Sequence, residues 1–161
     1  MHIELKKQIN KKSIARIAAI QTIYQFDNDN NPSNIDKLLI KIREFYKSKD
    51  LKSDYELSSI NKIELRPSYT YLYELVKLTH MHLKKIDLVI ENLLIDKWKL
   101  KNLAKLLCTI LRVGICELKY FPKTPSKVII NEYTDIANEM LDMETVGFVN
   151  SILDKYASNL R

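Results

Sequence analysis

The sequence predicts an all-α fold, on three observations. Only two glycines and four prolines occur in 161 residues, too few for the turns on which hairpin-rich β folds depend. Apolar residues recur at steps of three and four along most of the chain. Where that rhythm stops, capping and breaking residues stand. A single domain over residues 1–161 fits this length, which buries roughly 68–70% of the unfolded surface. Hydrophobic residues make up 46% and charged residues 29%, the balance of a globular chain.

Each element follows in order. Residues 13–27 carry a stripe at Ile14, Ile17, Ala18, Ile20 and Tyr24, widened by Ile23. N-D-N-N-P over 28–32 breaks it. Ser33 to Asp36 resembles a capping box with Asp in place of Glu, and a helix follows through Leu38, Leu39, Ile42 and Phe45. Residues 47–67 are polar, serine-rich and weakly periodic, which predicts a long loop or insertion with at most a short helical turn. Pro67-Ser68 opens a helical segment that reaches Ile95, long enough to predict a bend near His80–Lys85. Lys99–Tyr120 is apolar around much of its girth, the pattern of a central buried helix. Pro122 and Pro125 end it and start the next, lined by Ile129, Tyr133, Ile136, Ala137 and Met140. Asp142 or Thr145 caps the last helix, whose stripe is Val149, Ile152, Leu153 and Tyr156. The total is about seven helices.

The same inventory excludes several functions. Two isolated glycines, Gly114 and Gly147, make no phosphate-cradling loop. His2, His80 and His82 have no zinc-ligand spacing, so no metal or cofactor is expected. Cys108 and Cys116 lie eight apart, roughly 12 Å along a helix, too far for a disulfide within it. They read as buried thiols suited to a reducing cytoplasm. No run approaches the length of a membrane span and no apolar signal segment opens the chain. No serine stands in a glycine elbow, and the carboxylates Glu132, Asp135 and Glu139 have ordinary surface-helix spacing, so catalysis has no support. For Glu132 a cap or an inter-helix hydrogen bond is the better reading.

Charge points the other way. The net charge is +6, and Lys6, Lys7, Lys11, Lys12 and Arg16 face only Glu4 in the first 20 residues, so +4 of it sits there. Such a segment suits phosphates, whose neutralisation releases counterions; a solvated basic face without a partner is the alternative. Tyr24 follows two turns after Arg16, an aromatic and basic pairing suited to single-stranded RNA. Tyr69, Tyr71 and Tyr73 fan out on a helix and carry little weight. Phe148 with Asn150 suits a stacked base, although a Phe at helical spacing is more often core. Arg112, in the most apolar helix, must be paired or snorkel: either a structural ion pair with another helix, or a partner or RNA contact.

Four blocks then resemble one family. Ala15-Arg16 with Ala18-Ala19-Ile20-Gln21-Thr22-Ile23-Tyr24 is similar to the first helix of the NusB transcription antitermination factors. Leu111-Arg112-Val113-Gly114-Ile115-Cys116-Glu117-Leu118, Pro125 with Lys127-Val128-Ile129-Ile130-Asn131-Glu132, and Phe148-Val149-Asn150-Ser151-Ile152-Leu153-Asp154 resemble later family blocks in order and interval. The match covers about residues 11–28 and 72–158.

The resemblance implies a NusB-like fold of two helical subdomains. One takes approximately 11–66 plus the start of the 68–95 segment, the other approximately 86–161. It implies a non-catalytic cytoplasmic factor that binds the boxA RNA of ribosomal RNA leader transcripts as a heterodimer with the ribosomal protein NusE. Other Nus factors and RNA polymerase are then indirect partners. It implies RNA contacts from Lys11, Lys12, Arg16, Tyr24, Phe148 and Asn150, and NusE contacts from Leu107, Arg112 and Glu144. The sequence departs from the family pattern at Ser13-Ile14, at Leu107-Cys108 and at Gly147, which shifts the expected RNA affinity toward Lys6, Lys7 and other lysines. On this reading Lys12→Ala and Arg16→Ala each lower the salt slope of RNA binding by about one unit. The competing reading is a protein-interaction module of the same fold without RNA sequence specificity.

Overall fold

Asn10 begins the first helix: its side-chain oxygen accepts the Ser13 amide at 2.8 Å, satisfying one of the free donors of the first turn. That helix, α1, is Lys11–Asn28. The computed structural model describes residues 10–29, 34–56, 66–95 and 99–160, with side chains described outside 49–56. Lys6 and Lys7 lie outside the described residues.

Helix α2 is Ile35–Glu56. Asn34 precedes it, and its Oδ1 accepts the Asp36 amide at 3.0 Å; the expected start at Ser33 lies outside the described residues. The helix continues through residue 56, where a loop was expected from 47. That stretch, K-S-K-D-L-K-S-D-Y-E, is polar but contains neither glycine nor proline, so nothing in it forbids helix. Weak apolar periodicity alone does not end a helix.

Helix α3 is Tyr69–Met81 and α4 is Leu83–Leu93. The predicted bend is realised at one residue, His82, whose φ of −104° and ψ of 17° leave helical geometry. The His82 amide still donates to Leu78 and its carbonyl accepts from Ile86, so the two helices form one kinked unit. Before α5, Lys105–Tyr120, the chain makes a short 3-10 turn at Leu100–Asn102 and then extends. The expected helix from Lys99 is therefore shorter. Leu103 is buried and Leu100 packs on the core, so apolar spacing runs on where the helix does not.

Helix α6, Ser126–Met140, follows Pro125 at the position where proline's missing donor costs nothing. Helix α7, Met143–Asn159, is capped by Asp142, which accepts the Thr145 amide at 2.9 Å. The Thr145 hydroxyl first, and this amide second, hold the Asp142 carboxyl below its usual value by donating to it. Seven α-helices and no strand occur among the described residues.

Helix α5 is the hub, touching α1, α3, α4, α6 and α7. Eleven of its residues are buried, which is why its sequence is apolar all round. Ala15, Ala18 and Ala19 are fully buried; their small side chains let α1 approach α3 and α5 closely. Cys108 and Cys116 are free and buried. Burial raises the thiols to about 11 and about 12, which leaves little of the reactive thiolate at neutral pH. At pH 8 the native thiols are expected to react with a disulfide reagent at least about a hundredfold more slowly than in denaturant. Stopped absorbance measurements in both conditions check this.

Candidate nucleic-acid interface

Lys11 and Lys12 form the exposed first turn of α1. No acidic residue accompanies them there. Cations at a helix N-terminus oppose the helix dipole, so the pair does not help the helix. Two exposed ammonium groups at one helix start instead suit an anion.

Arg16, one turn on, is 2% exposed. This corrects its expected role at the RNA surface. Its Nε donates to both Glu117 carboxylate oxygens at 2.9 and 3.0 Å, and Nη2 donates to Oε2 at 2.8 Å. Nη1 lies 3.6 Å from Glu132 Oε2, which also accepts the Ser13 hydroxyl at 2.9 Å. Glu117 is 0% exposed and accepts the Tyr133 hydroxyl at 2.9 Å. Burial disfavours the guanidinium charge, but hydrogen bonds and charge from Glu117 outweigh it and hold Arg16 above its usual range. Complete burial, then the Glu117 charge, pushes the Tyr133 hydroxyl well up. Arg16 is thus a bolt between α1, α5 and α6. Glu132 makes the inter-helix hydrogen bond its sequence setting suggested. Glu117 has a signal in the sequence, since a carboxylate inside the most apolar helix needs a partner, but nothing near it in sequence identifies Arg16 as that partner.

Tyr71 joins this group. Lys12 Nζ lies 5.3 Å from its ring centroid and the Arg16 guanidinium 5.7 Å. Its ring packs on Phe121 with centroids 4.8 Å apart. Burial, then the Glu117 charge, raises its hydroxyl to about 12, so it is a neutral phenol. Helical spacing within α3 gave no sign of this, because the contacts come from α1 and α5.

The other expected RNA residues do not gather at this point. Tyr24 is 38% exposed, but twelve residues separate it from Lys12, about 18 Å along α1. Phe148 is half-buried and packs on the core. Asn150 is exposed, 3.4 Å from the Thr134 hydroxyl, and lines a groove of about 400 Å³ with Lys127 and Asn131.

The expected NusE residues also separate. Glu144 is exposed in the first turn of α7. Leu107 is buried in the core, which corrects its expected place on a partner surface. Arg112 adopts the ion-pair alternative. Nε and Nη2 donate to the two Asp87 oxygens at 2.7 and 2.9 Å, and Nη1 donates to Asp27 at 2.8 Å. The pair ties the end of α1 to α4 and α5. Arg112 also edges a cleft of about 470 Å³ with Lys101, Lys105 and Thr109. Burial holds the Asp27 carboxyl above its usual value against the opposing Arg112 charge. No helix among the described residues is long and apolar enough to cross a membrane.

Comparison with known proteins agrees with this architecture. The transcription antitermination protein NusB of Rickettsia bellii is 47% identical over 150 residues, covering 93% of this chain and 92% of that protein. The Rickettsia rickettsii protein of the same name is 46% identical with 93% coverage of each. NusB of T. maritima superposes with a TM-score of 0.69 at 22% identity, covering 91% of this chain and 89% of that one. A structure of antitermination factors NusB and NusE in complex with dsRNA gives 0.67 at 24%, covering 91% and 96%. The NusB family pattern matches residues 13–158, a span that holds both the Arg16–Glu117 bolt and the Arg112 clamp. With near-complete relatives at this identity, the chain belongs to the NusB family.

Proposed function

We propose that this protein is a cytoplasmic transcription antitermination factor. It binds boxA RNA of ribosomal RNA leader transcripts as a heterodimer with NusE, and reaches other Nus factors and RNA polymerase indirectly. The observation that carries the RNA reading is the exposed Lys11–Lys12 pair at the start of α1. The names of the relatives, and a structural neighbour that holds NusE and RNA, support the rest. Asn150 and Phe148 extend the RNA surface along α7, and Tyr24 contacts a more distant nucleotide. The Arg112 cleft and Glu144 receive NusE. The reading divides the chain into two helical subdomains, approximately 11–66 with the start of 68–95, and approximately 86–161.

Phosphate contacts carry a salt signature. Lys11→Ala and Lys12→Ala are each expected to lower the magnitude of the salt slope for boxA RNA by about one unit. Fluorescence anisotropy over a salt series checks this. Unchanged slopes in both variants would remove the start of α1 from the RNA surface and favour an interaction module without RNA specificity.

A further inference from the structure

We propose that Tyr71 is a positioning residue for RNA, holding the Lys12 ammonium at the surface where it meets a phosphate. This rests on the RNA reading of the α1 start.

Three contacts set the geometry. The Ser68 amide donates to the Lys11 carbonyl at 3.0 Å, fastening the entry of α3 to the first residue of α1. The Ser68 hydroxyl oxygen accepts the Tyr71 amide at 3.4 Å, so the residue that meets α1 also sets the first turn of α3. Tyr71 then presents its ring 5.3 Å from Lys12 Nζ. The ring itself is held in place. Phe121, 8% exposed, packs against it, and Arg16, locked by Glu117, lies 5.7 Å from its centroid.

A lysine on a helix start has a flexible four-carbon stem, and ordering it on a phosphate costs rotamer entropy. An aromatic face attracts the ammonium through its quadrupole and narrows those rotamers beforehand. The ammonium has three donors, so contact with the ring leaves hydrogens for an anion. Arg16 and Lys12 are one turn apart on the same side of α1. The buried cation thus steadies the ring, and the ring steadies the exposed cation.

The test is anisotropy of labelled boxA RNA with NusE present, over a salt series, using the full chain. Tyr71→Leu is expected to weaken binding about threefold and to lower the salt slope by the same amount as Lys12→Ala. The double variant should bind no more weakly than Lys12→Ala alone, and Tyr71→Phe should match wild type. A purely structural role would lower stability and leave the slope alone. Losses that multiply in the double variant, or a wild-type slope for Tyr71→Leu, would overturn the proposal. A second measurement stands if Tyr71→Leu does not fold. In the free wild-type protein the Lys12 ε-methylene protons should be shifted upfield of the other exposed lysines by the ring current, and coincidence with them would overturn it. Wild-type protein that binds no RNA overturns the RNA reading itself, whereas a working Lys12 beside an inert Tyr71 overturns only the role given to Tyr71.

Discussion

Arg16→Met is expected to lower the unfolding free energy by about 3–5 kcal/mol, as the loss of one partner from a buried ion pair does. The variant leaves Glu117 fully buried with the neutral Tyr133 hydroxyl donating to it. A neutral donor does not replace a guanidinium that makes three hydrogen bonds to that carboxylate. Arg16→Lys should recover little, because an ammonium cannot reproduce the planar fork. Arg16→Met combined with Glu117→Leu and Tyr133→Phe should regain most of the loss, since the apolar replacement removes the fully buried carboxylate and its phenol donor, while Glu132 keeps the Ser13 hydroxyl. Urea unfolding of the four proteins decides it. A loss under about 1 kcal/mol for Arg16→Met would show that the pair is solvated, and would return Arg16 to the candidates for RNA contact.

Gly114→Leu is expected to cost about 1–3 kcal/mol by overpacking. A Cβ at Gly114 would stand 3.1 and 3.2 Å from the two Leu153 methyls and 3.4 Å from the Tyr133 ring. Alanine brings only that one carbon, and the Leu153 methyls are the end of a flexible side chain. The gain in helix propensity, up to about 1 kcal/mol, offsets the crowding, so Gly114→Ala should fall within about 1 kcal/mol of wild type. Leucine adds three further carbons between α5, α6 and α7, where Tyr133 is also tied to the Glu117 carboxylate. Thermal and urea unfolding of both variants test the contrast. Equal stability of Gly114→Leu and wild type would mean that α5 and α7 separate easily. Gly147 is the control: a Cβ there meets nothing within 4 Å, so Gly147→Ala should leave packing untouched.

Helix type and order were legible because they depend on what a residue does to its neighbours in sequence. The kink at His82, the cap at Asp142 and the start after Pro125 are all local. The end of α2 was not legible from apolar rhythm, because a polar stretch without glycine or proline neither marks a helix nor breaks one. The start of α5 was misplaced for the opposite reason: Leu103 is buried whether or not its backbone is helical. Site residues were harder still. Arg112 could be recognised as an ion-pair residue because its own helix is apolar. Arg16 sits among Ile14, Ala15, Ile17 and Ala18, an equally apolar setting, and the same argument applies to it. Its partner Glu117 is 101 residues away, and periodicity within one helix says nothing of such a contact. Tyr71 illustrates the same limit, since its neighbours come from α1 and the end of α5.

The consequence for function is a division of labour along α1. Lys11 and Lys12 are exposed while Arg16 is buried, so the basic segment is part surface and part core. The central claim is that this surface, with NusE, selects boxA RNA. The most direct measurement is anisotropy of labelled boxA RNA titrated with the protein, with and without NusE, beside a scrambled RNA of equal length. A preference for boxA that strengthens when NusE is added is the predicted result; equal binding of the two RNAs in both conditions would contradict it.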